Sequence, residues 1–201
     1  MKPEAIEFFY DYGSPNAYLA YKLLPGIAEK TGATITLKPC LLGGIFKATN
    51  NQSPFVAYAQ VKGKLAYEQL EMARFIKKHG ISFAYNPNFP VNTLLIMRGA
   101  MVAQRDDFLE SYTDAVFDFM WKDPRKMDDP EIVKATLTEA GFNGSGILAA
   151  TQDPEIKAAL IDQTNTAVER GVFGMPTFFV GDEMFFGKDR LKQVAEAITE
   201  G

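Results

Sequence analysis

The sequence predicts an α/β fold in which a βαβ unit and a ββα unit are separated by a long, all-helical segment. Three observations carry this. Apolar, β-favouring runs occur near the two ends of the 201-residue chain, at 5–10 and 34–37 and again at 177–180 and 184–186. A helix-start signal, Ser14-Pro15, closely follows the first run. From about Gln52 to Arg170 the pattern becomes helical, with no convincing strand.

Taken in order, Ala5 to Tyr10 is rich in Ile and Phe and reads as a buried strand, and the Asp11-Tyr12-Gly13 turn delivers the chain to Ser14. A serine followed by proline starts a helix well: the hydroxyl accepts from an otherwise unpaired amide, and proline at the first helical position loses nothing. This helix is expected to run to about Gly32, kinked at Pro25, because a mid-helix proline lacks the amide donor and clashes with the preceding turn. A strand from Thr34 to Leu37 stops near Pro39. Strand, helix, strand in that order implies a parallel pair with a right-handed crossover.

In the middle, Val61, Leu65, Met72 and Ile76 mark one apolar helix face. Helix starts are expected at Asn92, around Asp106, at Asp129-Pro130 and at Asp153-Pro154, with Gly80, Gly141 and Gly171 as C-terminal stops. The chain then returns to strand in Thr177 to Val180, turns at Gly181-Asp182, continues through Met184 to Phe186 as a hairpin, and closes with a helix from about Arg190 to Thr199. The expected domains are 1–45 together with 171–201, and an inserted helical domain, 46–170.

Composition limits the chemistry. With 47% hydrophobic residues the chain can bury a sizeable core, and a net charge of −4 argues against a general affinity for nucleic acid or anionic membranes. One cysteine, Cys40, excludes an intramolecular disulfide, a C-x-x-C pair and a cysteine zinc cluster, and one histidine excludes most His-rich metal sites. No metal is expected. Cys40 reads as a small core or loop residue, and His79, before Gly80, as a cation at a helix C-terminus. Met1-Lys2-Pro3-Glu4 runs into the first strand without the apolar core of a signal peptide, so a cytoplasmic location is expected.

Two short segments hold the chemistry. Gly13-Ser14-Pro15-Asn16 lies where the first strand meets the first helix, and Gly174-Met175-Pro176-Thr177 opens the third strand. With the βαβ, helical insertion and ββα order, they give the layout of the DsbA-like branch of the thioredoxin fold. Residues 11–20, 42–51, 88–93, 171–179 and 186–191 closely resemble 2-hydroxychromene-2-carboxylate isomerases and their relatives, the kappa-class glutathione transferases. The resemblance spans essentially the whole chain. It departs from the frequent Ser-Pro-Tyr/Phe-Ser form at Asn16 and Ala17, and has Asn50 where glycine is common.

Ser14 stands where a redox protein of that fold carries its attacking cysteine. The resemblance therefore implies a thiolate from outside the chain, with glutathione as cofactor. A free thiol titrates near pH ~8.5, and each unit of lowering needs about 1.4 kcal/mol. A helix N-terminus supplies roughly 0.3–2 kcal/mol and a hydroxyl donating to the anion roughly 1.5–3, so one or two units are within reach of Ser14. An ionised serine nucleophile would need far more, or a neighbouring base. Ser14 is thus the candidate catalytic residue as hydrogen-bond donor; its plainer reading is a helix cap only.

The resemblance also implies a cis Met175-Pro176 bond presenting backbone to the peptide part of glutathione, although Pro176 is by itself also an ordinary strand-start proline. Asp189 and Arg190 are expected to receive the γ-glutamyl ammonium and carboxylate, or else to be a helix cap and a solvated first-turn residue. Lys47, Asn50 and Asn51 are placed in a loop entering the helical domain. Asn51 would hold glutathione, Lys47 the carboxylate of an aromatic substrate, and Asn50 and Phe89 would lie nearer its ring. The activity implied is isomerisation of an aromatic 2-oxo acid in naphthalene-type catabolism, by a homodimer. A kappa-like transferase acting on aryl electrophiles, and a non-catalytic glutathione-binding module, are the alternatives.

Overall fold

Burial alternates and then becomes continuous along Ala5–Tyr10 (β1), as suits an interior strand covered on both faces. The computed structural model describes residues 5–200, so the reading of Met1-Lys2-Pro3-Glu4 lies outside the described residues. With Thr34–Pro39 (β2), Thr177–Val180 (β3) and Glu183–Phe186 (β4), β1 forms a four-stranded sheet of order β2-β1-β3-β4. The β1–β2 pair is parallel, with Phe8 opposite Leu37, while β3 runs antiparallel to β1, with Phe8 opposite Phe178, and pairs with β4 as a hairpin. The Phe8 ring stacks on Phe178 at 5.4 Å and on Tyr10 at 5.1 Å, joining the strands through one aromatic column.

The helix after Ser14 is two helices, Pro15–Tyr21 (α1) and Leu24–Thr31 (α2), where one kinked helix was expected. The chain breaks before Pro25, which falls in the first turn of α2, where a missing amide costs no hydrogen bond. Gly32 ends α2 in the left-handed region at φ 74°.

Leu42–Thr49 (α3) is also helical, which corrects the loop expected around Lys47. Two adjacent glycines, Gly43 and Gly44, hide this helix in the sequence. One of them allows a close approach: a Cβ on Gly44 would stand 3.1 Å from Thr164 Cγ2. The start of α3 is fixed from outside, since Leu41 N donates to Thr164 Oγ1 at 3.0 Å and Leu42 N to Asp11 Oδ2 at 2.8 Å. It runs across the expected boundary between residues 45 and 46.

Seven further helices precede β3: Pro54–Ala57 (α4), Lys64–His79 (α5), Leu94–Arg105 (α6), Leu109–Trp121 (α7), Pro130–Glu139 (α8), Gly144–Ala150 (α9) and Pro154–Glu169 (α10). Asp129 and Asp153 cap α8 and α10 at the expected starts. Asn92 sits two residues before α6 and accepts from Leu94 N at 3.0 Å. Asp106 ends α6 instead of starting α7, its carboxylate held by Arg105. Val61 lies outside α5 and is exposed, so the apolar face expected there reduces to the partly shielded Leu65, Met72 and Ile76. A 3-10 turn, Lys188–Arg190, leads into Leu191–Glu200 (α11).

The buried core is continuous between sheet and helices. Tyr10, Tyr12, Tyr18 and Tyr21 from the βα unit surround Phe117 of α7, with centroids 5.0–5.9 Å away. Buried hydroxyls need partners, and Tyr10 and Tyr12 share Thr113 Oγ1 at 2.9 and 3.1 Å. Among the described residues no helix is long and apolar enough to cross a membrane.

Candidate active site

Ser14 has extended backbone (φ −95°, ψ 110°) and caps α1, its Oγ accepting from Ala17 N at 3.2 Å. Its side chain is enclosed, with the residue 5% exposed. The hydroxyl donates to the Met175 carbonyl at 3.5 Å, the long limit for such a bond. A better acceptor would therefore take that proton at small cost. Although α1 has only seven residues, the electrostatic influence of a helix end is confined to its first turn, where Ser14 stands.

The turn carrying Ser14 is pinned by Asp11, which in the sequence pattern is only a turn residue. Asp11 is 2% exposed; its Oδ1 accepts from Gly13 N and its Oδ2 from Leu42 N, both at 2.8 Å. Burial pushes its pKa above the ordinary carboxylate value, against the opposing effect of those two amide bonds. The Asp-x-Gly spacing is a legible Asx-type turn signal; the bond to α3 is not. Trp121 of α7 adds a second anchor, its Nε1 donating to Tyr12 O at 2.7 Å.

Opposite Ser14, the Met175–Pro176 bond is cis, as the resemblance implies. This loop is tied at both ends. Phe173 O accepts from Asn51 Nδ2 at 2.8 Å, and Pro176 O accepts from Gly187 N at 2.9 Å. Asn51, Met175, Pro176 and Ser14 are thereby linked in one hydrogen-bonded series that continues into the 188–190 turn. There Asp189 and Arg190 are exposed. Lys188, to which the sequence pattern assigns no role, is nearly buried, its Nζ 3.0 Å from Asp189 Oδ2 and 4.9 Å from the Phe75 ring of α5.

Lys47 is exposed in the last turn of α3. Asn50 ends that helix at φ 54°, a left-handed conformation that glycine and asparagine adopt most readily, which accounts for asparagine in a glycine position. Phe89 packs against Phe55 at 5.2 Å and against Tyr85 and Trp121 at 5.8 Å each, a wall whose Phe55 and Tyr85 rings remain exposed. Among the described residues no hydrogen bond joins Lys47 or Phe89 to Ser14; Phe89 reaches the turn through Trp121.

Cys40 is fully buried beside β2, its Sγ 3.6 Å from Gln163 O, and burial pushes its thiol well above the usual range. It is no source of thiolate. His79 ends α5 with its ring 4.5 Å from Phe75.

A family model of the DSBA-like thioredoxin domain matches residues 5–199. The chain belongs to this DSBA-like family. Over 193 residues this DSBA-like protein is 28% identical to the 2-hydroxychromene-2-carboxylate isomerase of Pseudomonas putida, with 96% of the chain and 93% of the relative covered. It is 26% identical to human glutathione S-transferase kappa 1, with 98% and 92% covered. Among solved structures, a 2-hydroxychromene-2-carboxylate isomerase superimposes with a TM-score of 0.85 at 27% identity, over 98% and 95% of the two chains. A Pseudomonas aeruginosa DsbA gives 0.62 at 15% identity, over 98% and 86%, a likeness of fold alone. The DSBA-like protein presents a serine hydroxyl at the start of α1, and its single thiol is sealed in the core.

Proposed function

We propose that the protein is a glutathione-dependent isomerase that converts 2-hydroxychromene-2-carboxylate, or a closely related aromatic 2-oxo acid, to the trans-o-hydroxybenzylidenepyruvate form. The observation that carries this reading is the enclosed Ser14 hydroxyl, which accepts from Ala17 N and donates only over a long 3.5 Å to the Met175 carbonyl, in the position that the resemblance assigns to the attacking cysteine of the fold's redox members. Similarity over nearly the full length to isomerases of that name supports it.

The donor set fits glutathione. Ser14 would donate to the sulfur, the backbone of Met175-Pro176 and the Asn51 amide would take the peptide, and Asp189 and Arg190 the charged γ-glutamyl end. Asp189 already accepts from Lys188, and a carboxylate has lone pairs for a further donor. When bound, glutathione would supply a thiolate nucleophile able to add reversibly to the conjugated double bond of the ring-opened substrate, chemistry with no net redox change.

The protein's part is to favour the anion and to hold the substrate. Ser14 would turn its proton from the Met175 carbonyl to the sulfur, worth roughly 1.5–3 kcal/mol, or about one to two pKa units. Lys47 takes the substrate carboxylate, and Asn50 and the Phe89 wall take the ring. The reading carries with it a cytoplasmic location, a homodimer and an inserted helical domain ending at 170/171, its first boundary at 45/46 falling inside α3. Purified protein with glutathione is expected to convert 2-hydroxychromene-2-carboxylate, followed by its ultraviolet spectrum, and Ser14→Ala to do so far more slowly; no conversion by the unaltered protein contradicts the substrate assignment.

The similarity to human glutathione S-transferase kappa 1 favours a second reading, a transferase in which the same site directs the thiolate onto an aryl halide. Glutathione consumed in equal amount to the halide, with no chromene turnover, selects that reading.

A further inference from the structure

A cavity of about 120 Å³ lies between α3, α6 and α10 and shares no residue with the Ser14 site. Arg98, Lys157 and Asn165 supply its polar side and Leu94, Leu160 and Ile161 its apolar side; no Asp or Glu lines it. Asp153, one turn before Lys157 on α10, stands 3.8 Å from Arg105 instead. Neither Arg98 nor Lys157 makes an ion pair among the described residues.

Two cations on an exposed surface are ordinarily satisfied by water. Arg98 is not such a case, because its Nε is enclosed and has no hydrogen-bond partner. A guanidinium partly withdrawn from water, beside a second cation and facing a concavity without acids, is an arrangement that an anion stabilises by pairing and by removing mutual repulsion. The hydrocarbon wall decides what the anion is attached to. Ile161 is 57% exposed and, with the half-buried Leu94, presents apolar surface beside the charges, with Leu160 forming the floor beneath them. A fully hydrated inorganic ion gains nothing from such a wall, whereas an acid with a compact hydrocarbon body covers it.

We propose that this cavity binds a small organic carboxylate, its charge on Arg98 and Lys157 and its hydrocarbon body on Leu94, Leu160 and Ile161. The inference stands independently of the activity proposed for Ser14. Benzoate, titrated into the full-length ¹⁵N-labelled protein, is the direct probe. Saturable amide shifts are expected at Leu94, Arg98, Ile161 and Asn165, with affinity about tenfold weaker in Arg98→Gln and in Lys157→Gln, and with no saturable shift from the neutral benzyl alcohol. Lys157→Gln, a half-buried surface position, keeps the test informative if Arg98→Gln fails to fold. Three results overturn the proposal: shifts confined to Ser14, Lys47 and Asn51; benzoate affinity unchanged in a folded variant; or inorganic phosphate binding as tightly as benzoate, which would make the cavity a plain anion site.

Discussion

The Ser14 turn and the α4–α5 segment are built in opposite ways. Around Ser14, polar groups from four separate stretches of chain are paired across distance: Asp11 with Leu42, Trp121 with Tyr12, Asn51 with Phe173, Gly187 with Pro176. In α4 and α5 no residue is fully buried, and Phe55, Val56, Tyr67 and Leu70 stand exposed. What ties α5 down is modest: the shielded Met72, Phe75 and Ile76, and the Lys188 ammonium over Phe75. The half assigned to an invariant ligand is pre-organised. The half that contributes Phe55 to the aromatic wall belongs to the low-stability end of the molecule, where local opening is least costly.

The sharpest way to break this comparison is at Ser14. Ser14→Ala should lower kcat/KM for isomerisation by about 10- to 100-fold, the loss that one to two units of thiol pKa imply, with only about 1 kcal/mol of stability lost with the cap. Steady-state kinetics and urea unfolding check both halves of that statement. Next, Asp11→Asn turns an NH2 toward one of the two amides that the carboxylate accepts, and should lower the unfolding free energy by roughly 1–3 kcal/mol.

Asp11 also has a pH signature. Its folded pKa is raised above 3.8, so the folded state holds the proton more tightly than the unfolded chain does. This group's contribution to stability is therefore largest below the unfolded value and declines as pH rises through the folded one. Unfolding curves across acidic pH should show that slope in the unaltered protein and lose it in Asp11→Asn. A smaller effect is expected at Lys47→Gln, a rise of about tenfold in KM for the carboxylate substrate without change in glutathione binding. Smallest of all, Leu70→Lys on exposed α5 should leave stability within about 0.5 kcal/mol, measured by urea unfolding.

The same contrast explains how much the sequence disclosed. Local signals were legible: β1 from its Ile and Phe run, the Ser14-Pro15 start, the Asp-Pro caps of α8 and α10, and the glycine stops at Gly32 and Gly80. What failed was set at a distance. The helix at Leu42–Thr49 depends on Asp11 and Thr164 receiving its first amides, and its glycines argued against it. Asp106 is the local exception: its type points to a helix start, but its neighbour Arg105 pairs with its carboxylate at the end of α6. Of the candidate site, Ser14 and Met175-Pro176 were visible as segments, but Asp11, Trp121 and Lys188 acquire their roles only once the fold brings partners to them.

The central claim is that Ser14 holds a sulfur anion that belongs to glutathione. Titrating the ultraviolet absorbance of bound glutathione thiolate against pH, in the unaltered protein and in Ser14→Ala, tests it most directly. The account predicts a bound thiol about one to two units below the free value near pH ~8.5, returning toward it in the variant. A bound thiol that titrates at the free value, or a lowered one that Ser14→Ala leaves in place, would contradict it.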